Sequence, residues 1–278
     1  HVGSGLHHTG RPTPGAYAAA AGSLYFGVPT VWSRIADDPT SARALRSARL
    51  LVSGSAALPP SVFHALVDLT GHQPVERYGI TETLITVSAR ADSPRTPGAV
   101  GTPLAGTSTQ VVGDDGIALP LDGVSMGHLL VRGPSLFSAY LHGADETSFT
   151  PDGWFRTGDV ATIDGEGLHR IVGRAATDLI KSGGYRIGAG EVEDVLLSHP
   201  SVSEAAVVGV ADDDLGQRIV AFVVATDHDE AALISFVGNQ LSWHKRPRTV
   251  VFVDALPRNA MGKVEKARLQ RSTGPTMA

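Results

Sequence analysis

The stretch LLVSGSAALPPSVFHALVDLTGHQPVERYG, running from Leu50 to Gly79, carries the reading of the fold. Leu50 to Ser53 is a short apolar run of buried-strand type. A small-residue loop follows, and Pro59 and Pro60 then open a segment in which Val62, Phe63, Leu66, Val67 and Leu69 recur at helical spacing. Gly71 ends that helix, and Pro74 to Tyr78 reads as another strand. Upstream, Leu24 to Val28 is an apolar run closed by Pro29 and followed by a helical pattern through Trp32 and Ile35. Strands alternating with helices predict an α/β arrangement with parallel pairing.

Beyond this stretch the texture changes. From Thr96 to Arg174, Gly and Pro become frequent and the apolar runs short: Thr109–Val112, His128–Val131, Val160–Ile163 and Leu168–Val172. Ile163-Asp164-Gly165-Glu166-Gly167-Leu168 has the form of a hairpin turn. This spacing predicts a β-rich subdomain. After Asp178 the alternation returns: a helix from Glu191 to about Ser198, strands at Ala205–Val210 and Ile219–Val224, a helix over Asp229–Leu241, a strand at Val250–Val253 and a final polar helix. The expected fold class is therefore α/β and α+β. Residues 1–95 would be the end of a large N-terminal α/β subdomain, 96–174 a β-rich subdomain, and 175–278 a small mobile C-terminal α+β domain. The opening HVGSGLHHTGRPTPGAY has no initiator Met and no leader pattern, so the chain is expected to begin inside a domain and to need its own N-terminal half as a partner.

Composition narrows the function classes. Hydrophobic residues make up 42% and charged residues 18% of the 278, as in an ordinary globular protein. A net charge of −5 offers no basic footprint for nucleic acid. No apolar run is long enough for a membrane span, so no stable membrane insertion is expected. There is no cysteine, which excludes a disulfide framework and a thiolate nucleophile and suits a reducing, cytoplasmic setting.

Five collinear segments have the chemistry of nucleotide handling. In Ser53-Gly54-Ser55-Ala56-Ala57-Leu58-Pro59, small residues let a base or phosphate approach the backbone. In Tyr78-Gly79-Ile80-Thr81-Glu82-Thr83, Tyr78 offers an aromatic face, Thr81 a hydroxyl for phosphate, and Glu82 a hard oxygen ligand for Mg²⁺. Asp159, expected on an exposed turn of Trp154-Phe155-Arg156-Thr157-Gly158-Asp159, can accept from both ribose hydroxyls, and Arg174 can add a donor to the same sugar. The fourth segment runs from Gly173-Arg174 into Asp178-Leu179-Ile180-Lys181-Ser182-Gly183-Gly184-Tyr185-Arg186. The fifth, Pro257-Arg258-Asn259-Ala260-Met261-Gly262-Lys263, brings a cation on a Gly-flexed loop to charge developing on phosphate. Taken singly each has a plain reading: a turn before a Pro-started helix, a helix cap at Thr81, an ordinary turn, a surface ion pair. Their order sets them apart.

In that order the set resembles the adenylate-forming superfamily of acyl-CoA synthetases, luciferases and nonribosomal adenylation domains, over nearly the whole chain. More narrowly, Glu76-Arg77-Tyr78-Gly79 through Pro97-Gly98-Ala99-Val100-Gly101, and Leu256 to Val264, look like the malonyl-/methylmalonyl-CoA synthetases, actinobacterial members above all. The resemblance implies an acid–CoA ligase that uses ATP, Mg²⁺ and coenzyme A and works through an acyl-adenylate. It implies that Lys263, with Thr81 and Glu82, serves catalysis, and that Ser53, Gly54, Ser55, Ala56, Tyr78, Gly79, Thr81, Asp159 and Arg174 hold the nucleotide. Gly183, Gly184 and Tyr185 would line the thiol channel after the C-terminal domain rotates.

One departure lies at the hinge, where Gly173-Arg174-Ala175-Ala176-Thr177-Asp178 is one residue longer than in many relatives; the pivot is placed at Ala176, Thr177 and Asp178. Relatives acting on aryl or long-chain acids carry a small residue where Arg77 stands. Arg77 is therefore expected to meet the second carboxylate of malonate or methylmalonate, the alternative being a structural ion pair with Glu76 or Glu82. Arg95 is a weaker candidate; His7 and His8 read as loop histidines, and Lys245-Arg246-Pro247-Arg248 as a solvated basic turn. The superfamily's Gly- and Thr/Ser-rich phosphate loop does not occur in this chain, so these residues alone are not expected to turn over. The rival readings are a synthetase of medium or long fatty acids, an adenylation domain loading a carrier protein, and a non-catalytic nucleotide-binding module.

Overall fold

A computed structural model describes residues 5–8, 10, 12–141, 148–259 and 262–273. Ala260 and Met261 of the fifth segment lie outside the described residues. Three sheets follow one another along the chain. The first joins β1 (Leu24–Gly27), β2 (Leu50–Ser53), β3 (Val75–Ile80), β4 (Leu84–Ser88) and β5 (Thr102–Pro103) in that order. β1, β2 and β3 are parallel, as the alternation predicts. β3, β4 and β5 are antiparallel, which it does not.

Helices α1 (Pro14–Ala19), α2 (Pro29–Ala36), α3 (Pro39–Ala44) and α4 (Pro60–Thr70) cover one face of this sheet. The apolar stripe of each supplies the core: Trp32, Ile35, Leu45 and Leu66 pack with Tyr25 and Leu51. All four helices carry Pro at the start, where the missing N–H costs nothing. The other face is open. There Phe26, Leu50, Val52, Val75 and Arg77 line a cavity of about 540 Å³.

The second sheet runs β6 (Ser108–Val112), β7 (Gly127–Arg132), β8 (Phe155–Ile163), β9 (His169–Arg174), all antiparallel. The third contains β10 (Leu179–Ser182), β11 (Tyr185–Gly188), β12 (Val202–Asp212) and β13 (Gly216–Ala225) in the order β11-β10-β13-β12, with β14 (Thr249–Phe252) parallel to β13. Helices α5 (Ala189–Leu197) and α6 (Glu230–Gln240) bury Val192, Leu196, Leu233 and Val237 on one face of it. α7 (Lys266–Ser272) buries Leu269 on the other. No helix among the described residues is long and apolar enough to cross a membrane.

Two local expectations are corrected. Thr81 does not cap a helix: Thr81 to Thr83 form the turn between β3 and β4. Gly79 makes that turn possible, because a Cβ there would stand 1.9 Å from the Leu84 carbonyl oxygen. Nor does Thr157-Gly158-Asp159 form an exposed turn. Gly158, at φ +74°, sits at an irregularity where the pairing of β8 with β7 shifts register, and β8 extends back through it to Phe155.

Candidate active site

Asp159 is the centre of the site, and it is buried, at 5% exposure. Its place in β8 opposite Arg174 of β9 is a register pair. Thr157 braces it: the Thr157 hydroxyl donates to Leu129 O at 2.8 Å and accepts from Asp159 N at 3.1 Å. Asp159 Oδ2 accepts from the Tyr78 hydroxyl at 2.6 Å, and Oδ1 faces Arg174 Nε at 3.1 Å. Arg174 Nη1 donates in turn to Thr157 O at 2.9 Å. Burial pushes the Asp159 carboxyl above its ordinary range, while the Tyr78 hydrogen bond and the charges of Arg174 and Lys263 pull it back. Burial, then the Asp159 charge, drives the Tyr78 phenol well above its ordinary value, so it stays a donor. A carboxylate fixed by two neighbours keeps further lone pairs for a pair of hydroxyls.

The expected aromatic face of Tyr78 is largely absent. Its ring is 8% exposed and belongs to the core with Val87, Val100 and Leu129. Tyr78 reaches the site through its hydroxyl, a correction to the sequence reading.

The Ser53–Ala57 loop leaves the end of β2. Ser53 is buried, and its Oγ has no hydrogen-bond partner among the described residues, which costs stability until a partner is supplied. Ser55 holds φ +76°, and Ser55 to Ala57 are exposed. Glu76, at 3% exposure, clamps this loop to the next: its Oε2 accepts from Leu58 N at 3.3 Å and its Oε1 from Gly98 N at 2.9 Å. Burial pushes the Glu76 carboxyl up to about 7 against those two bonds and the charge of Arg170.

Glu76 is thus occupied away from Arg77, as opposite-facing neighbours on a strand require. No carboxylate among the described residues pairs with Arg77. Its guanidinium lies over Gly54, where a Cβ would come within 3.0 Å of Arg77 Cζ. Arg95 is committed elsewhere: it donates to the Gln73, Arg90 and Ala91 carbonyls.

Glu82 is half-buried beside the turn, its Oε1 accepting from Tyr140 at 3.1 Å, and Thr81 is exposed. No group of three metal-ligating side chains occurs among the described residues. One carboxylate suits a Mg²⁺ ion otherwise held by nucleotide phosphates and water.

Lys263 lies on a short hairpin closed by Asn259 N to Lys263 O at 2.9 Å and by the Arg258–Val264 bridge. Arg258 anchors that hairpin to Glu204 at 2.7 Å. Lys263 is exposed, and its charge acts on the Asp159 carboxylate. The fold therefore brings Tyr78 and the charge of Lys263 to Asp159 and Arg174, which face each other on one hairpin: three separate parts of the sequence. It does not bring in Gly183, Gly184 and Tyr185. Gly183 and Gly184 form the β10–β11 turn, and Tyr185 stacks on His244, centroids 4.0 Å apart.

Ala176, Thr177 and Asp178 fall on the turn between β9 and β10. Asp178 Oδ2 accepts from Arg174 N at 2.8 Å, and Oδ1 meets Lys266 Nζ at 2.6 Å, which also meets Glu193 at 2.7 Å. Lys245 pairs with Glu191 at 2.7 Å, so that part of the basic turn is anchored rather than solvated. His7 and His8 are exposed. Thr157, Tyr140 and Lys266 escaped the sequence reading. Thr157 stood inside a quoted segment, whereas nothing in sequence marks the other two.

Comparison with known proteins gives this geometry a context. The model of the AMP-binding enzyme family matches residues 12–141, and that of the AMP-binding enzyme C-terminal domain matches residues 191–263. A malonate–CoA ligase of Arabidopsis thaliana is 36% identical over 274 residues, covering 90% of this chain and 44% of that protein. Among solved structures, ATP-bound MatB from Rhodopseudomonas palustris is 36% identical with a TM-score of 0.85, covering 93% of this chain and 53% of that one. A malonyl-CoA ligase in a ternary product complex with methylmalonyl-CoA and AMP is 49% identical with a TM-score of 0.56, covering 88% and 55%. The chain spans about half the length of the curated relatives it matches. Its overall arrangement is nearer to the ATP-bound relative, although sequence identity is higher to the product complex.

Proposed function

The chain belongs to the AMP-binding enzyme family, and from that premise we propose that the intact protein is an acid–thiol ligase that makes malonyl- or methylmalonyl-CoA through an acyl-adenylate. The observation that carries the reading is the buried Asp159, held by Tyr78 and Arg174, with the charge of Lys263 brought onto it. In the first step a carboxylate oxygen of the acid attacks the α-phosphorus of ATP and pyrophosphate leaves. In the second, the thiol sulfur of coenzyme A attacks the acyl carbon, AMP leaves, and the thiol proton passes to solvent.

Asp159 and Arg174 grip the ribose, and the Ser53–Ala56 loop and Gly79 lie along the nucleotide. Ser53 Oγ awaits a polar partner there. Thr81 donates to phosphate. Glu82 is the residue to hold Mg²⁺, which offsets phosphate charge when bound. Lys263 neutralises charge on the carboxylate and α-phosphate as they approach. Gly183, Gly184 and Tyr185 serve the thiol only after the C-terminal unit turns about Ala176–Asp178. The present arrangement is then the one for the first step, in keeping with the overlay on an ATP-bound relative.

Arg77 selects the acid. A guanidinium with no carboxylate partner, beside an apolar-walled cavity, is set to take a second carboxylate and disfavours an acyl chain. A fatty acid would leave that charge unpaired. The cysteine-free sequence suits a reducing setting, and a cytoplasmic enzyme is the reading adopted. The test is coenzyme A-dependent AMP release by the intact protein across malonate, methylmalonate, acetate, butyrate and palmitate. Turnover of the two dicarboxylates above the rest supports the reading, and a preference for palmitate removes it.

A further inference from the structure

The C-terminal unit also meets the middle sheet through one carboxylate, Asp114, which none of the roles above uses. Asp114 lies on the turn after β6. That turn is held by its own backbone, Gly113 N donating to Ile117 O at 2.8 Å and Gly116 N to Gly113 O at 3.0 Å. Asp114 Oδ1 meets His128 Nε2 of β7 at 2.9 Å. Its Oδ2 takes two cations from the third sheet, Lys181 Nζ at 3.1 Å and Arg186 Nη2 at 2.6 Å.

Lys181 and Arg186 are cross-strand partners on the β10–β11 hairpin, so they project from the same face. The other arm of Arg186 donates to Met126 O at 3.0 Å, a second bond across the same boundary. The His128 hydrogen bond and the two cations hold the Asp114 carboxyl well below the usual carboxylate range. The tip of this hairpin is Gly183-Gly184-Tyr185, the segment assigned to the thiol.

We infer that Asp114 is a positioning residue: it clamps the β10–β11 hairpin against the middle sheet, keeping Lys263 turned toward Asp159, and must release it before the hairpin tip serves the second step. The inference rests on the proposed two-step function. The strength of the contact suits such a clamp. Asp114 is 52% exposed, so each pair is screened by solvent and contributes little alone. A carboxylate shared among two cations and an imidazole biases an orientation without locking it.

The test uses the intact protein and Asp114→Asn, with the two steps assayed apart. Acid-dependent pyrophosphate exchange reads the first, and thioester formation from supplied acyl-adenylate reads the second. The first should fall about 3- to 10-fold, the size expected of a few exposed ion pairs, with the second unchanged or faster. High salt should lower the first step of the parent toward that of the variant. Lys181→Gln, made from the other side of the contact, should give the same split. A fluorophore pair spanning the middle sheet and the C-terminal unit reads orientation without activity and should show a shifted population in Asp114→Asn. Equal losses in both steps, or an unchanged population, would overturn the clamp. A parent with neither half-reaction but a shifted population in the variant would instead remove the proposed chemistry.

Discussion

Asp159 and Lys263 carry the opposite charges of the site, and they are built in opposite ways. Asp159 is fixed by a strand register, by Thr157 beneath it and by Tyr78 and Arg174 on its two oxygens. Lys263 stands exposed on a hairpin whose bonds are mostly internal, with an outer anchor at Glu204. The difference separates two tasks. A group that grips the same sugar through both steps gains from being rigid, because no reorganisation is needed when substrate binds. A group used in one step gains from riding on a unit that can leave. Rigidity and exposure thus mark which residues stay and which travel.

Removing the travelling charge should have the largest effect. Lys263→Ala should cut acid-dependent pyrophosphate exchange by about 10²- to 10³-fold, the usual cost of one charge-stabilising group. Conversion of a supplied acyl-adenylate should survive. Equal loss in both steps would place Lys263 with the fixed groups instead.

The fixed side should betray itself through pH. Burial raises the Glu76 carboxyl from 4.5 to about 7 in the fold. A carboxyl raised on folding is most favourable below its unfolded value, and stability falls as pH rises from there through about 7. The full change is on the order of 3 kcal/mol. Asp194, also pushed to about 7 by burial, acts with the same sign. The thermal midpoint of the intact protein should drop between about pH 5 and pH 8. Glu76→Gln should flatten much of that slope, and an unaltered slope would show that Glu76 does not titrate there.

Arg77→Ala should lower malonate activation about 10- to 100-fold relative to acetate, the range for a charge-assisted pair. A uniform loss would make Arg77 structural. The smallest effect is expected for Asp159→Asn, about 10-fold in apparent nucleotide affinity, since an amide keeps one acceptor of the two. A change in acid preference, rather than nucleotide affinity, would contradict its place at the ribose.

Much of the fold was legible because apolar runs state it. β2 begins and ends at the expected residues, Leu50 and Ser53, and β12 and β13 enclose the two expected runs. β4, β10 and β11 went unread: they are short, and the last two mix Lys181, Ser182 and Arg186 with few apolar residues. Antiparallel pairing of β3 with β4 depends on a close approach at Gly79 that no periodicity reports.

The site divides in the same way. Its residue types could be listed from collinear segments. The burial of Asp159 could not, because it depends on Tyr78, 81 positions earlier. The Lys266–Asp178 pair spans 88 positions and was equally invisible.

The proposed chemistry begins with a carboxylate oxygen attacking the α-phosphorus, and isotope transfer reads that bond directly. With ¹⁸O-labelled malonate, ATP and coenzyme A, the intact enzyme should release AMP carrying one ¹⁸O from the acid. Label in orthophosphate, with ADP formed in place of AMP, would mean an acyl-phosphate route and contradict the acyl-adenylate.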